Sequence, residues 1–136
     1  MRPINKAISY ITLGVTDLNK MQIFYSALGF IIHRESDNAD HPYIMYKCGN
    51  VILALYPKNL LARQSGCRVG GNNQAVSISL NVEYKTDVDD ILLMVKKKHA
   101  TVTREAFQPE WGGYCGYFQD PETNLWEVVW NPEYSF

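Results

Sequence analysis

The sequence predicts an α+β fold made of two βαβββ modules, whose curved mixed sheets pair around a cleft. Three observations carry this expectation. The order strand, helix, strand, strand, strand is legible twice along the chain. A stretch ending in Gly70-Gly71-Asn72-Asn73 separates the two copies, and Gly and Asn are chain-punctuating residues. The 136 residues, 46% hydrophobic and 20% charged, suffice for a single domain with a substantial core. The expected organisation is one domain over residues 1–136, with module one at about 7–57, a linker at about 58–74 and module two at about 75–132.

The first copy opens with ISYITLGV (Ile8 to Val15), whose β-branched and aromatic content is that of a strand. Asp17 stands as an N-cap, and Leu18, Met21, Phe24, Tyr25 and Leu28 recur at helical spacing. Gly29 ends that helix. Three strands follow in FIIHRES, PYIMYK and NVILALYP, parted by the polar loop DNADH and by Cys48-Gly49-Asn50. The linker begins with helical character at Leu60. In the second copy AVSISLNV (Ala75 to Val82) is a strand, and Thr86 with Asp89 reads as a capping-box variant opening DVDDILLMVKKKH. TVTREAF, YCGYF and LWEVVW complete it. One open sheet with a helix on one face leaves its concave face uncovered until a second copy joins it. The cleft so enclosed is the expected ligand site.

Charge and composition narrow the function classes. Thirteen Lys and Arg against fourteen Asp and Glu give a net charge of −1, which offers neither nucleic acid nor an anionic membrane a partner surface. Lys96-Lys97-Lys98 ends the second helix, where cations favour the helix dipole. No apolar run approaches the length of a membrane span or signal core, so a cytoplasmic location is expected. Cys48, Cys67 and Cys115 are widely spaced, without a CxxC pair, and read as reduced thiols.

The stretches ISYITLGVTDLNKMQIFYSALGF and GYFQDPETNLWEVVWNP resemble the opening and closing segments of the vicinal oxygen chelate superfamily. That superfamily comprises glyoxalases, fosfomycin-inactivating thiol transferases, extradiol dioxygenases and bleomycin-sequestering proteins. WGGYxGYFxDP followed by WEVxWNP further resembles a glyoxalase-like subgroup without an assigned reaction. The resemblance implies a homodimer, for which an open sheet edge on each module gives a physical reason. It also implies a metal held by equivalent strands of the two modules. The matching positions here are Tyr10, Ser77, Leu53 or Ala54, and Glu127. Only Glu127 is an expected ligand type, whereas tight sites need roughly three or four His, Cys or carboxylate donors. The three histidines (His33, His41, His99) read as strand or surface residues. No metal and no cofactor are therefore expected.

Glu127 lies in a strand that is otherwise apolar, so its carboxylate must be solvated, paired or coordinated. Trp126, next to it, should point the other way. One reading makes Glu127 a vestige of the metal site, satisfied by hydrogen bonds from Tyr10 or Ser77. The preferred functional reading is a metal-free cleft that binds a small aromatic or hydrophobic molecule, lined by Tyr10, Tyr56, Arg63, Ser77, Trp111, Tyr114, Tyr117 and Glu127. Aromatic walls stack flat ligands, and a carboxylate beside them favours a cation or a hydrogen-bond donor. The alternative is a lyase or isomerase of the vicinal oxygen chelate type, with Glu127 as catalytic base or residual metal ligand. In that reading Arg63 serves as an anion anchor. The turn Asp120-Pro121-Glu122-Thr123-Asn124 is a hairpin device, with Asn124 expected in any left-handed position.

Overall fold

A computed structural model describes residues 2, 3, 6–70 and 75–133. Its contacts divide between two units, Met1–Gly70 and Gly71–Phe136.

In the first unit, β1 (Tyr10–Val15) is followed by α1 (Leu18–Ala27), β2 (Ile32–Ser36), β3 (Tyr43–Cys48), β4 (Val51–Pro57) and α2 (Lys58–Ser65). The strands form one mixed sheet in the order β1-β4-β3-β2, with β1 parallel to β4 and the remaining pairs antiparallel. Asp17 caps α1 by accepting from the Lys20 backbone N–H at 3.0 Å. Gly29 follows the helix at a φ of 100°, where a side chain would strain the backbone. Period-two alternation sends Leu13, Val15, Ile44, Tyr46, Leu53 and Leu55 into the core, where Met21, Phe24 and Tyr25 of α1 are buried too. Tyr46 is fully buried, and its hydroxyl donates to the Gln22 carbonyl at 3.2 Å. Burial raises its pKa above the ordinary phenol value, as does the nearby charge of Glu35, against the hydrogen bond with Ser26.

The second unit runs β5 (Ser77–Asn81), α3 (Lys85–Lys97), β6 (Thr101–Phe107), β7 (Tyr114–Gln119) and β8 (Leu125–Trp130). Its sheet order, β5-β8-β7-β6, repeats the topology of the first, with β5 parallel to β8. Val88, Leu92 and Val95 of α3 are buried, as are Phe118, Trp126 and Val128 of the sheet. The rings of Phe118 and Trp126 stack at 6.2 Å with planes 3° apart. The expected α+β architecture of two βαβββ modules is thus present. Among the described residues no helix is long and apolar enough to cross a membrane.

Two local expectations are corrected. Helix α3 starts before Thr86: its N-cap is Tyr84, and the Asp87 carboxylate reaches back to accept from the Tyr84 N–H at 3.0 Å. An Asp inside the first turn can cap from the helix side, so no short polar N-cap residue is needed. In the β7–β8 hairpin the left-handed residue is Thr123, at a φ of 70°, and not Asn124. Asn124 is instead buried, its side-chain amide and backbone N–H both donating to Asp120 at 2.8 and 2.9 Å. Holding Asn124 in that pairing leaves Thr123 to turn the chain. Residues 71–74 of the linker and 134–136 of the C-terminal tail lie outside the described residues.

Candidate functional site

In the first unit the face of the sheet turned away from α1 is hollow. Tyr10 and Thr12 of β1, Ala54 and Tyr56 of β4, and Tyr43 and Met45 of β3 line a pocket of about 350 Å³. The register explains why these residues meet: Thr12 pairs with Ala54, and Ala54 with Met45, so all three project from one face. Leu61 and Gln64 of α2 and His41 of the β2–β3 loop complete the rim. Helix α2 comes close because Gly14 has no side chain; a Cβ there would stand 2.9 Å from Val69 and 3.2 Å from Leu61. The lining contains no Asp, Glu, Lys or Arg. Three phenol rings, a thioether and two aliphatic side chains suit a flat, uncharged guest.

In the second unit the polar groups lie in a single row across the sheet. Arg104 pairs with Tyr117, Tyr117 with Glu127, and Glu127 with Ser79, so all four share one face. The hydroxyl of Ser79 donates to Glu127 Oε1 at 2.7 Å, and that of Tyr117 to Oε2 at 3.0 Å. Burial and the Glu127 carboxylate together push the pKa of Tyr117 up to about 12, with Arg104 opposing them. Tyr117 is therefore a neutral donor, fixed on a carboxylate. Arg104 lays its guanidinium over the Phe107 ring, 3.7 Å from the centroid. Cys115, opposite Phe107, is buried. Its thiol pKa is raised first by that burial and then by the Glu127 charge, with Arg104 again opposing, so it is not a poised nucleophile.

The sequence-derived site residues fall in different places. Tyr10 and Tyr56 line the hollow of the first unit. Tyr117 and Glu127 meet in the second. Ser77 pairs with Leu125, and the serine beside Glu127 is Ser79, two residues along the same face; the expectation of a hydrogen bond from Ser77 is corrected accordingly. Trp126 is buried on the opposite face from Glu127, as strand alternation requires. Tyr114 also leaves that face, donating to Asp89 of α3 at 2.9 Å with Lys85 4.9 Å from its ring. That hydrogen bond raises the Tyr114 pKa, with a smaller contribution from burial. Trp111 is exposed, its ring covering Gly113. Arg63 is exposed in the last turn of α2, and the helix residues at the pocket are Leu61 and Gln64. Sequence reading missed Ser79 and Arg104. Ser79 was available from counting alternation back along SISLN, whereas Arg104 depends on a strand irregularity between Val102 and Arg104 that leaves no sequence signal.

A match to a family model decides the kinship: residues 7–128 fit the Glyoxalase/Bleomycin resistance protein/Dioxygenase superfamily. The chain belongs to this superfamily. No curated protein sequence matches it. Among solved structures it is similar to a glyoxalase-related enzyme from Fulvimarina pelagi, with 25% identity, a TM-score of 0.89, and coverage of 97% of this chain and 93% of that one. A hypothetical protein from S. aureus shares 24% identity at a TM-score of 0.82, covering 95% and 96% of the two chains. A lactoylglutathione lyase from Agrobacterium tumefaciens shares 22% identity at a TM-score of 0.73, covering 98% and 99%. The last two likenesses concern the fold alone.

Metal-dependent chemistry of the kind found in the superfamily calls for a donor set, and the described residues around Glu127 do not fit one. Among the described residues no three His, Cys, Asp or Glu side chains gather where they could hold an ion. Glu127 is flanked by two hydroxyl donors and by the buried Cys115 thiol, whose pKa burial and Glu127 raise, and the same row carries a guanidinium. One carboxylate and one thiol fall short of the roughly three or four protein ligands that zinc or a similar ion requires.

Proposed function

We propose that this superfamily member binds a small, flat, uncharged aromatic or hydrophobic molecule without a metal, in the hollow of its first unit. The observation that carries the reading is the lining of that hollow: Tyr10, Tyr43 and Tyr56 around Met45, Ala54 and Leu61, with no formally charged side chain. Its volume of about 350 Å³ lies in the range of small-molecule sites and suits a ligand of one or two rings. The polar groups at its rim, Thr12, Gln64 and His41, fix orientation and leave the stacking to the phenol rings. This is sequestration by shape and aromatic contact, comparable in kind to the bleomycin-sequestering members. The missing carboxylate argues for a neutral guest over a cationic one.

The test is fluorescence titration with a neutral naphthylamine dye. Saturable binding is expected, unchanged by a chelator, and Tyr56→Ala should weaken it about tenfold through lost stacking area. Dye binding that disappears on chelation, or that Tyr56→Ala leaves intact, would contradict the proposal.

A further inference from the structure

The hollow of the first unit holds one side chain of a kind whose charge changes near neutral pH. Histidine ionises between about pH 5 and pH 8, and His41 stands at the rim. The polar groups that line the hollow with it are Tyr10 and Thr12 of β1, Tyr43 of β3, Tyr56 of β4 and Gln64 of α2. Strand β2 contributes no side chain to the lining, and no formally charged group there opposes or duplicates a charge on His41. The charges nearest to it in sequence are Asp37 and Asp40 of its own loop, and neither belongs to the lining.

The loop holds His41 in position through its backbone. The Asn38 N–H donates to Ser36 Oγ at 3.3 Å, and the Asp40 N–H to Asn38 Oδ1 at 2.9 Å. The His41 N–H donates to the Asn38 carbonyl at 3.1 Å. Pro42 follows, and the residue before a proline is kept out of the helical region. Tyr43 then pairs with Ser36 across β2 and β3, so both ends of the loop are tied to the sheet. An imidazole on so braced a loop meets a guest with little ordering cost.

Protonation turns the imidazole from a mixed donor and acceptor into a cation with two N–H donors. A carboxylate at the mouth of the hollow then gains a charge-assisted hydrogen bond, whereas an uncharged guest gains no charge pairing. We propose that His41 sets the charge selectivity of the hollow. With the imidazole neutral the hollow takes uncharged aromatic molecules; with the imidazole protonated it also takes flat aromatic carboxylates. This selectivity rests on the hollow being the ligand site. His41 is exposed, so solvent screens the pairing, and the gain is that of a surface ion pair, about three- to fivefold in affinity. By reciprocity a bound carboxylate favours the protonated imidazole, so its binding near neutral pH takes up a proton.

The probes are 2-naphthoate and its uncharged counterpart 2-naphthamide, titrated by fluorescence at about pH 5.5 and about pH 8, either side of the histidine range. Carboxylates, with a pKa near ~4, are ionised at both. 2-Naphthoate should bind about three- to fivefold tighter at the lower pH, and 2-naphthamide equally at both. His41→Gln should abolish the pH ratio for naphthoate. His33→Gln, in β2 and outside the lining, should preserve it. Calorimetry of naphthoate binding in buffers of different ionisation heat should report proton uptake that His41→Gln removes. A naphthoate affinity that ignores pH in the native protein would overturn the proposal, as would a ratio that His41→Gln preserves. If naphthamide binds while naphthoate shows no such ratio, the charge selectivity falls and the hollow stands as the site. If neither binds, both readings fall together.

Discussion

At the scale of single residues, Tyr117 shows how a position becomes chemical. Its hydroxyl is held by a carboxylate and partly shielded from water, so its proton is retained to a pH near 12. The native pKa thus exceeds the unfolded phenol value near ~10. The stability this contributes is complete below the unfolded value and lost as pH rises through the native one. Alkaline titration followed by phenolate absorbance should therefore show a tyrosine step well above the ordinary phenol range, and Glu127→Gln should move that step to lower pH. An unmoved step would mean that burial alone raises it. The same strand also explains a silence: Cys115, two residues away, is kept protonated by burial and by Glu127. Thr123 is the opposite case, a β-branched residue at a φ of 70°. It is tolerated because Asp120 and Asn124 pin the turn on either side: the Thr123 N–H donates to the Asp120 carbonyl, and the Asp120 N–H to the Asn124 carbonyl, both at 2.9 Å.

At the scale of elements, the pairing of α3 with its sheet depends on Gly116. A Cβ there would collide with Leu92 Cδ1 and stand 3.0 Å from the Arg104 carbonyl oxygen. Gly116→Ala is therefore overpacking, expected to lower stability by about 1–3 kcal/mol, and chemical denaturation measures it. Because β6 carries Arg104, the same substitution should disturb the polar row; a loss of stability below about 0.5 kcal/mol would show that the helix lifts away freely. Most strands were legible at this scale. TVTREAF and LWEVVW occupy β6 and β8 as read, because alternation and β-branching act locally. Helix α3 was placed two residues late, since its cap comes from Asp87 inside the first turn. Helix α2 was only partly visible, because its apolar residues are few and none is buried.

At the scale of the whole molecule, the repeated topology leaves terminal strands in both sheets: β1 and β2 in one, β5 and β6 in the other. Exposed Ile8 and Val76 stand just ahead of β1 and β5, and open edges with apolar neighbours invite pairing. We propose a homodimer on this ground, the arrangement that the sequence resemblance implies. Sedimentation should then report twice the chain mass of 15.6 kDa, and Ile8→Lys or Val76→Lys should shift the protein toward the monomer. A native protein that sediments as a monomer at all concentrations removes the argument.

The sequence by itself determined the α+β class, the duplication and the superfamily. All of these rest on local periodicity, or on side-chain chemistry that folding does not alter. Only the tertiary structure decided which side chains meet. Register set Ser79, and not Ser77, beside Glu127, and an irregular strand brought Arg104 into line with Tyr117. A missing side chain at Gly14 let α2 close the tyrosine hollow. A shift of one residue in pairing reverses the face on which a side chain lies, and pairing is settled between strands distant in sequence.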